Sequence, residues 1–299
     1  MESYGCTLCP RNCGADRANG KIGTCGVTSD ITLARASLHM WEEPCISGTA
    51  GSGTVFFSGC SLGCVYCQNK AISCGKVGKK ISEKRLVDIF FELKAKGAAN
   101  INLVTADHYI PQVASALAQA TDRGLDLPVV YNTSSYVYSH SLGMLDGEVD
   151  VYLPDLKYMD SSISAKYSRA ADYPSVAVKA IDAMVKQVGD AVFDENGMIK
   201  RGVIVRHLVL PGNVLNSKKV LKFLRDTYGD AIYISIMSQY TPCTDLSLYP
   251  EINRKVTAAE YDRVVDYASE IGITKAFIQE GEAASESFIP AFDYEGVEA

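Results

Sequence analysis

Apolar positions in this chain follow two periods that take turns. GTVFF (53–57) alternates as a strand and runs into a cysteine-bearing loop. Residues 82–96, SEKRLVDIFFELKAK, open on a Ser cap followed by Glu83, carry apolar residues at helical spacing and stop before Gly97, which predicts a helix. NINLVT (100–105) returns to strand character. The pattern then continues with a helix over 111–123, a strand over 127–132, a short helix near 139–145 and a strand over 149–155. Helices over 161–169 and 174–188, a strand over 201–211, a helix over 217–227 and a strand over 231–237 follow. Upstream, residues 31–46 read as one strand-like run ending in HMWEEPCIS, and Gly48, Gly51 and Gly53 permit a tight reversal before GTVFF.

Near-continuous apolar strands alternating six times with helices predict a parallel sheet covered by helices. The chain has no G-x-G-x-x-G and no Walker loop, and the GSG at 51–53 precedes a strand rather than a helix, so a curved, barrel-like sheet is expected over a dinucleotide fold. Chemistry in such a sheet gathers where strands end at their carboxyl side. Polar residues do gather there. Thr105, Asp107 and His108 follow NINLV; Asn132, Thr133 and Ser134 close VVYN; Asp155 and Lys157 follow VDVYL; Arg206 lies in GVIVRHLVLPG; Gln239 and Tyr240 follow ISIM. A carboxylate such as Asp155 can accept hydroxyls and an ammonium such as Lys157 can pair with a carboxylate. Helix and turn capping at Thr105–His108 and Asn132–Ser134, and a strand-end salt bridge at Asp155–Lys157, are the structural alternatives. His207 alternates to the other face, where a satisfied structural histidine is the simpler reading. His39 and Trp41 read as packing.

Composition narrows the class. At 299 residues, 47% hydrophobic and 21% charged, the chain is an ordinary globular protein with room for one large domain and an extension. A net charge of −6 without a dense Lys/Arg run argues against nucleic acid as a partner. No stretch approaches 18 consecutive apolar residues and the start MESYGCTLC lacks a signal pattern, so no membrane partner and a cytoplasmic location are expected.

Ten cysteines in such a chain point to metal or redox use rather than a disulfide framework. Cys60, Cys64 and Cys67, spaced C-x3-C-x2-C directly after a strand, crowd three thiolates into eight residues, and thiolates that close repel unless a soft metal neutralises them. A structural zinc takes four protein ligands, whereas three cysteines can hold three irons of a [4Fe–4S] cube and leave the fourth open. Cys6, Cys9, Cys13 and Cys25 lie among Gly, Asn and Pro with few apolar neighbours, so bound metal is expected to order that segment. The spacing leaves zinc and a second [4Fe–4S] cluster both open. Arg11 and Arg17, between these cysteines, could donate to sulfur or stand solvated. Cys45, Cys74 and Cys243 receive no role.

C-x3-C-x2-C with Tyr66 before the last cysteine and Gln68-Asn69 after it resembles the signature of the radical S-adenosylmethionine (SAM) enzymes. The chain most resembles the pyruvate formate-lyase activating enzyme relatives, in particular the PflX-type branch. The resemblance implies an open (β/α)6 partial barrel over 48–246, with a cysteine-rich N-terminal segment at 1–47 and a C-terminal extension at 247–299. That extension, with a helix over 257–271, a strand-like KAFIQ and the text ASESFIPAFDYEGV, is expected to cover one edge or the mouth of the barrel.

In that family SAM chelates the open iron and is cleaved to methionine and a 5′-deoxyadenosyl radical that abstracts hydrogen. The implied cofactor residues are Tyr66, Asn69, Thr105, His108, Asn132, Thr133, Asp155, Lys157, Arg206 and Gln239, around the cluster ligands Cys60, Cys64 and Cys67. Three departures stand out: TADHY replaces the family's GGE, Asn132 replaces an Asp, and no His follows ISIM. The resemblance further implies a protein or peptide substrate, a glycyl-radical enzyme being one candidate, and an external electron donor such as flavodoxin or ferredoxin. Other radical chemistry on a peptide is one alternative, and a non-catalytic iron–sulfur electron-transfer or metal-binding protein is another.

Overall fold

The computed structural model describes residues 5–279 and 290–298. Its strands are β1 (Thr32–His39), β2 (Ser52–Phe57), β3 (Lys79–Lys80), β4 (Ile101–Val104), β5 (Val129–Thr133), β6 (Val151–Pro154), β7 (Val192–Phe193), β8 (Ile199–Leu208), β9 (Tyr233–Met237) and β10 (Ala276–Ile278). Its helices are α1 (Pro44–Ser47), α2 (Lys70–Ser73), α3 (Glu83–Ala95), α4 (Ile110–Asp122), α5 (Ser139–Leu142), α6 (Ser161–Ser168), α7 (Tyr173–Val188), α8 (Val214–Tyr228) and α9 (Ala258–Glu270). The strands join in the order β10-β9-β8-β6-β5-β4-β2-β1-β3, with β7 hairpinned onto β8. Every pair from β2 to β10 along that path is parallel, and β1 and β3 finish the sheet antiparallel. Parallel neighbours need crossovers, and α3, α4, α5, α7, α8 and α9 lie on the six that join them.

The helices form where the periodicity puts them. In α3 the Ser82 side chain accepts from the Arg85 N–H, and Leu86, Val87, Ile89, Phe90 and Leu93 are buried against the sheet. The outward-facing strand residues Leu103, Tyr131, Tyr152, Val203 and Val205 meet these helices in one large core. The inward face is different. Register aligns Thr54 with Asn102 and Arg206 with Ser235, so polar side chains sit side by side on the concave side. Below them Cys45 and Ile46 of α1 pack with Val130, Val151, Leu153 and Ile204 in a separate apolar floor.

Two local expectations change. The strand-like run over 31–46 breaks after His39, because Pro44 lacks an N–H for a ladder but suits the first turn of a helix, and α1 forms there. The hairpin of β7 with β8 was not expected from apolar periodicity, although Asn196-Gly197 is a tight-turn signal at its tip. At the other end of the chain, Tyr294 and Glu295 pair by backbone with Ala34 and Ala36 of β1, and Arg35 binds Asp293 and Glu295. The last described residues therefore lie along the β1 edge, while 284–289 of ASESFIP lie outside the described residues.

Candidate active site

β2 delivers the cysteine loop to the carboxyl-side mouth of the sheet. Gly59 and Gly63 turn it with φ of +92° and +65°, and a side chain at Gly59 would collide with the Cys25 carbonyl and Val27. Val65 N–H donates to the Tyr167 carbonyl (2.8 Å), and Ser168 Oγ donates to Cys64 Sγ (3.1 Å), so the α6 end clamps the loop. Burial and the neighbouring Cys67 push the Cys60 thiol up to about 12, and burial raises Cys67 as well. Thiols in this setting ionise only when a cation compensates them.

Cys60, Cys64 and Cys67 open onto a cavity of about 210 Å³. Of the residues anticipated for the cofactor, Tyr66, Asn69, Thr105, Asn132, Asp155, Lys157, Arg206 and Gln239 line the same cavity, though they come from six separate chain segments. Tyr66 shares a 2.6 Å hydroxyl–hydroxyl hydrogen bond with Tyr158 and packs edge-on to Tyr240. Thr105 holds φ at +61°, an unfavourable setting for a β-branched residue that costs on the order of 1–3 kcal/mol and is kept mainly where function needs it. Asn69 Oδ1 and Thr241 Oγ1 are buried on the cavity wall without a hydrogen-bond partner in the protein.

His108 and Thr133 do not reach the cavity. His108 is fully buried behind the cysteine loop, its Nε2 at 2.7 Å from the Ser58 carbonyl, and burial drives its pKa down to about 3. Thr133 turns away to donate to Asp107 Oδ1 at 2.7 Å. Asp107 also accepts from Tyr131, and burial raises its carboxyl to about 6. Both anticipated residues therefore belong to the packing behind the site, because the chain turns after Thr105, and Thr133, still within β5, alternates to the opposite face from Asn132. His207 is satisfied on both ring nitrogens, by the Leu156 carbonyl and Ser217 Oγ. His39 lines the cavity while packing edge-on to Phe56.

The charged groups form one chain. Lys157 Nζ donates to Asp155 Oδ2 (2.6 Å), and Arg206 Nε donates to Asp155 Oδ1 (3.0 Å). Arg206 spends its other nitrogens on Glu42 Oε2 (3.2 Å) and Asn132 Oδ1 (2.6 Å), and Asn102 Nδ2 donates to Glu42 Oε1 (3.0 Å). Burial pushes the Asp155 carboxyl up, but Lys157 and Arg206 outweigh it and hold the carboxyl below its ordinary value. Glu42 is the residue that sequence reasoning missed. Two adjacent carboxylates closing an apolar run, WEEPC, were the available signal, since a carboxylate in such a place needs a cation.

The donor set fits an iron–sulfur cluster. Three soft thiols line a cavity whose wall also carries unpartnered polar atoms and a paired cation–carboxylate set. Among the described residues no three His, Cys, Asp or Glu side chains converge as the ligands of a single metal ion.

Comparison with known proteins agrees with this geometry. Residues 46–180 match the 4Fe-4S single cluster domain family, a span that includes Cys60, Cys64 and Cys67. Uncharacterized protein MJ0674 of Methanocaldococcus jannaschii is 28% identical over 276 residues, covering 90% of this chain and 75% of that protein. Among solved structures, HydG, a maturase of the [FeFe]-hydrogenase, is similar with a TM-score of 0.51 at 13% identity, over 74% of this chain and 50% of that one. Methylornithine synthase (PylB) is similar with a TM-score of 0.51 at 13% identity, over 73% of this chain and 60% of that one. The chain shares the fold of these two proteins, a mostly parallel sheet covered by helices. It spans between half and 60% of the length of those two solved chains, and at this identity the likeness speaks for the fold. A [4Fe–4S] cluster is the cofactor that the domain match supports. No described helix is long and apolar enough to cross a membrane.

Proposed function

We propose that the protein is a radical SAM enzyme that acts on a protein or peptide. The observation that carries this reading is the convergence of the C-x3-C-x2-C thiols and the Lys157–Asp155–Arg206 set on one cavity at the carboxyl ends of parallel strands. Cys60, Cys64 and Cys67 would hold the [4Fe–4S] cluster through three irons. The chemistry supplied by the bound cluster and SAM is reductive cleavage to methionine and a 5′-deoxyadenosyl radical, which takes hydrogen from the substrate.

The chain's own residues bind and orient. Lys157 has three donors and gives one to Asp155, leaving capacity for a ligand carboxylate. Arg206 is committed to three protein acceptors, so its part is to hold Asp155 and Asn132 in place rather than to reach for the cofactor. Asn69 and Thr241 offer unpartnered atoms, and the Tyr66 ring forms part of the wall. With His108 turned away and TADHY in place of GGE, the strand end after β4 contributes Thr105 to the cavity.

A likeness to the pyruvate formate-lyase activating enzymes, through the PflX-type branch, makes a glycyl-radical enzyme one substrate candidate. The open barrel agrees with a macromolecular partner inserting a loop, and an external donor such as flavodoxin or ferredoxin would supply the electron. The test is anaerobic reconstitution with iron and sulfide, a strong reductant and SAM, with 5′-deoxyadenosine quantified. Turnover is expected; an intact cluster that neither cleaves SAM nor changes its EPR spectrum when SAM is added would leave the electron-transfer reading in its place.

A further inference from the structure

We infer that Ser168 raises the reduction potential of the cluster in the Cys60–Cys67 loop, as the last link of a buried hydroxyl chain whose protons all point toward the Cys64 sulfur. The inference rests on the iron–sulfur reading of that loop and adds to it a residue that lies outside the cysteine motif.

The chain runs from the cavity wall to the loop. Tyr66 Oη and Tyr158 Oη lie 2.6 Å apart, Tyr158 Oη and Ser168 Oγ lie 2.9 Å apart, and Ser168 Oγ stands 3.1 Å from Cys64 Sγ. A thiolate on iron has no proton to give, so Ser168 is the donor to Cys64. A serine hydroxyl carries a single proton. Tyr158 must therefore donate to Ser168, and by the same count Tyr66 donates to Tyr158. The O–H dipoles are thus aligned head to tail toward one sulfur, and each polarises the next. All four residues are buried, so the low dielectric around them strengthens the alignment.

Ser168 is held in that position from outside the loop. It is the last residue of α6, and Arg169 behind it takes a φ of +50°, the left-handed setting that ends the helix. Arg11, far away in the N-terminal segment, donates to the carbonyls of Ser168 and Arg169 and also to those of Ser61 and Leu62. One guanidinium therefore fixes the helix end against the cysteine loop. Val65 N–H on the Tyr167 carbonyl closes the contact beside it. Reduction adds a negative charge that spreads over the irons and their sulfurs. A donor fixed on one of those sulfurs favours the reduced state over the oxidised one, so the serine moves the potential upward.

The test uses the full chain reconstituted with iron and sulfide without oxygen and without SAM. A redox titration follows the EPR signal of the reduced cluster, identified as the signal missing from a C60A/C64A/C67A variant. S168A is expected to shift the reduction equilibrium about 10-fold toward the oxidised form, a potential lower by about 59 mV for one electron, at wild-type iron content and far-UV circular dichroism. S168T keeps the hydroxyl and is expected to return to within about twofold of the wild-type equilibrium. Y66F removes the far end of the chain and should shift the equilibrium in the same direction by about threefold. An S168A equilibrium within about twofold of wild type, a shift of the opposite sign, or an S168T protein as displaced as S168A overturns the inference. Should S168A fail to hold iron, Y66F decides in its place, and an unchanged Y66F potential overturns the chain. A wild-type loop that takes up no cluster removes the inference together with the reading it rests on. If the S168A shift is found but the wild type does not cleave SAM, the radical SAM reading fails and the role of Ser168 stands; SAM cleavage without the shift leaves the reverse.

Discussion

Removing the Arg206 side chain tests whether the buried charge chain holds the barrel together. In R206L the guanidinium that now bridges Asp155, Glu42 and Asn132 is replaced by an apolar stem. Asp155 keeps Lys157 at 2.6 Å, but Glu42, whose side chain is only 9% exposed, loses its cation and keeps the Asn102 and Asn132 amides. Breaking a buried ion pair by deleting one partner costs about 3–5 kcal/mol, and the remaining amide donors place this case near the lower end, at about 3 kcal/mol. For a chain of this size that lowers Tm by about 5 °C. R206K keeps the charge but cannot reach three acceptors with a fork, and a loss of about 1–2 kcal/mol is expected. The E42Q/R206L pair removes the uncompensated carboxylate and should recover about 1 kcal/mol or more relative to R206L. Urea unfolding followed by circular dichroism, with thermal melts in parallel, measures all three. An R206L protein within about 0.5 kcal/mol of wild type, or a double variant as unstable as the two single changes added together, would refute the account.

Three further outcomes follow from particular contacts. The C60A/C64A/C67A variant is expected to lose the cluster of the barrel loop and all 5′-deoxyadenosine formation; residual SAM cleavage would remove the loop from the chemistry. Tyr66→Phe deletes the hydroxyl bonded to Tyr158, which keeps Ser168 as a partner, so a loss of about 1 kcal/mol and retained cluster binding are expected in urea unfolding and iron analysis. Asp107, raised by burial to about 6, favours the native state most below the ordinary carboxylate value near 4, and that contribution is lost as pH climbs through about 6. In D107N the amide oxygen can still accept from Thr133 and Tyr131. Its stability relative to wild type should therefore rise between pH 4 and pH 7, by on the order of 2–3 kcal/mol, and a change of the opposite sign in urea midpoints would contradict the burial argument.

The alternation of apolar periods was enough to find the parallel sheet and its covering helices, because each element is mostly buried on one face and its pattern is a local property. The cysteine spacing likewise carried its chemistry openly, since three thiols within eight residues have few other uses. The same local reasoning identified strand-end polar residues but could not tell which of them face inward: Asn132 and Thr133 are neighbours, yet one meets Arg206 and the other Asp107. Glu42 was missed for a related reason. Its partners Asn102, Asn132 and Arg206 are 60, 90 and 164 positions away, and only the curvature of the sheet brings them to one carboxylate. The roles of Arg11 and Arg17 also came from folding, since a guanidinium among glycines reads equally as solvated or as bound until backbone carbonyls 50 to 158 positions distant are laid against it. What a residue is follows from the chain, but what it pays attention to electrostatically depends on which distant dipoles and charges the packed sheet leaves within about 3 Å.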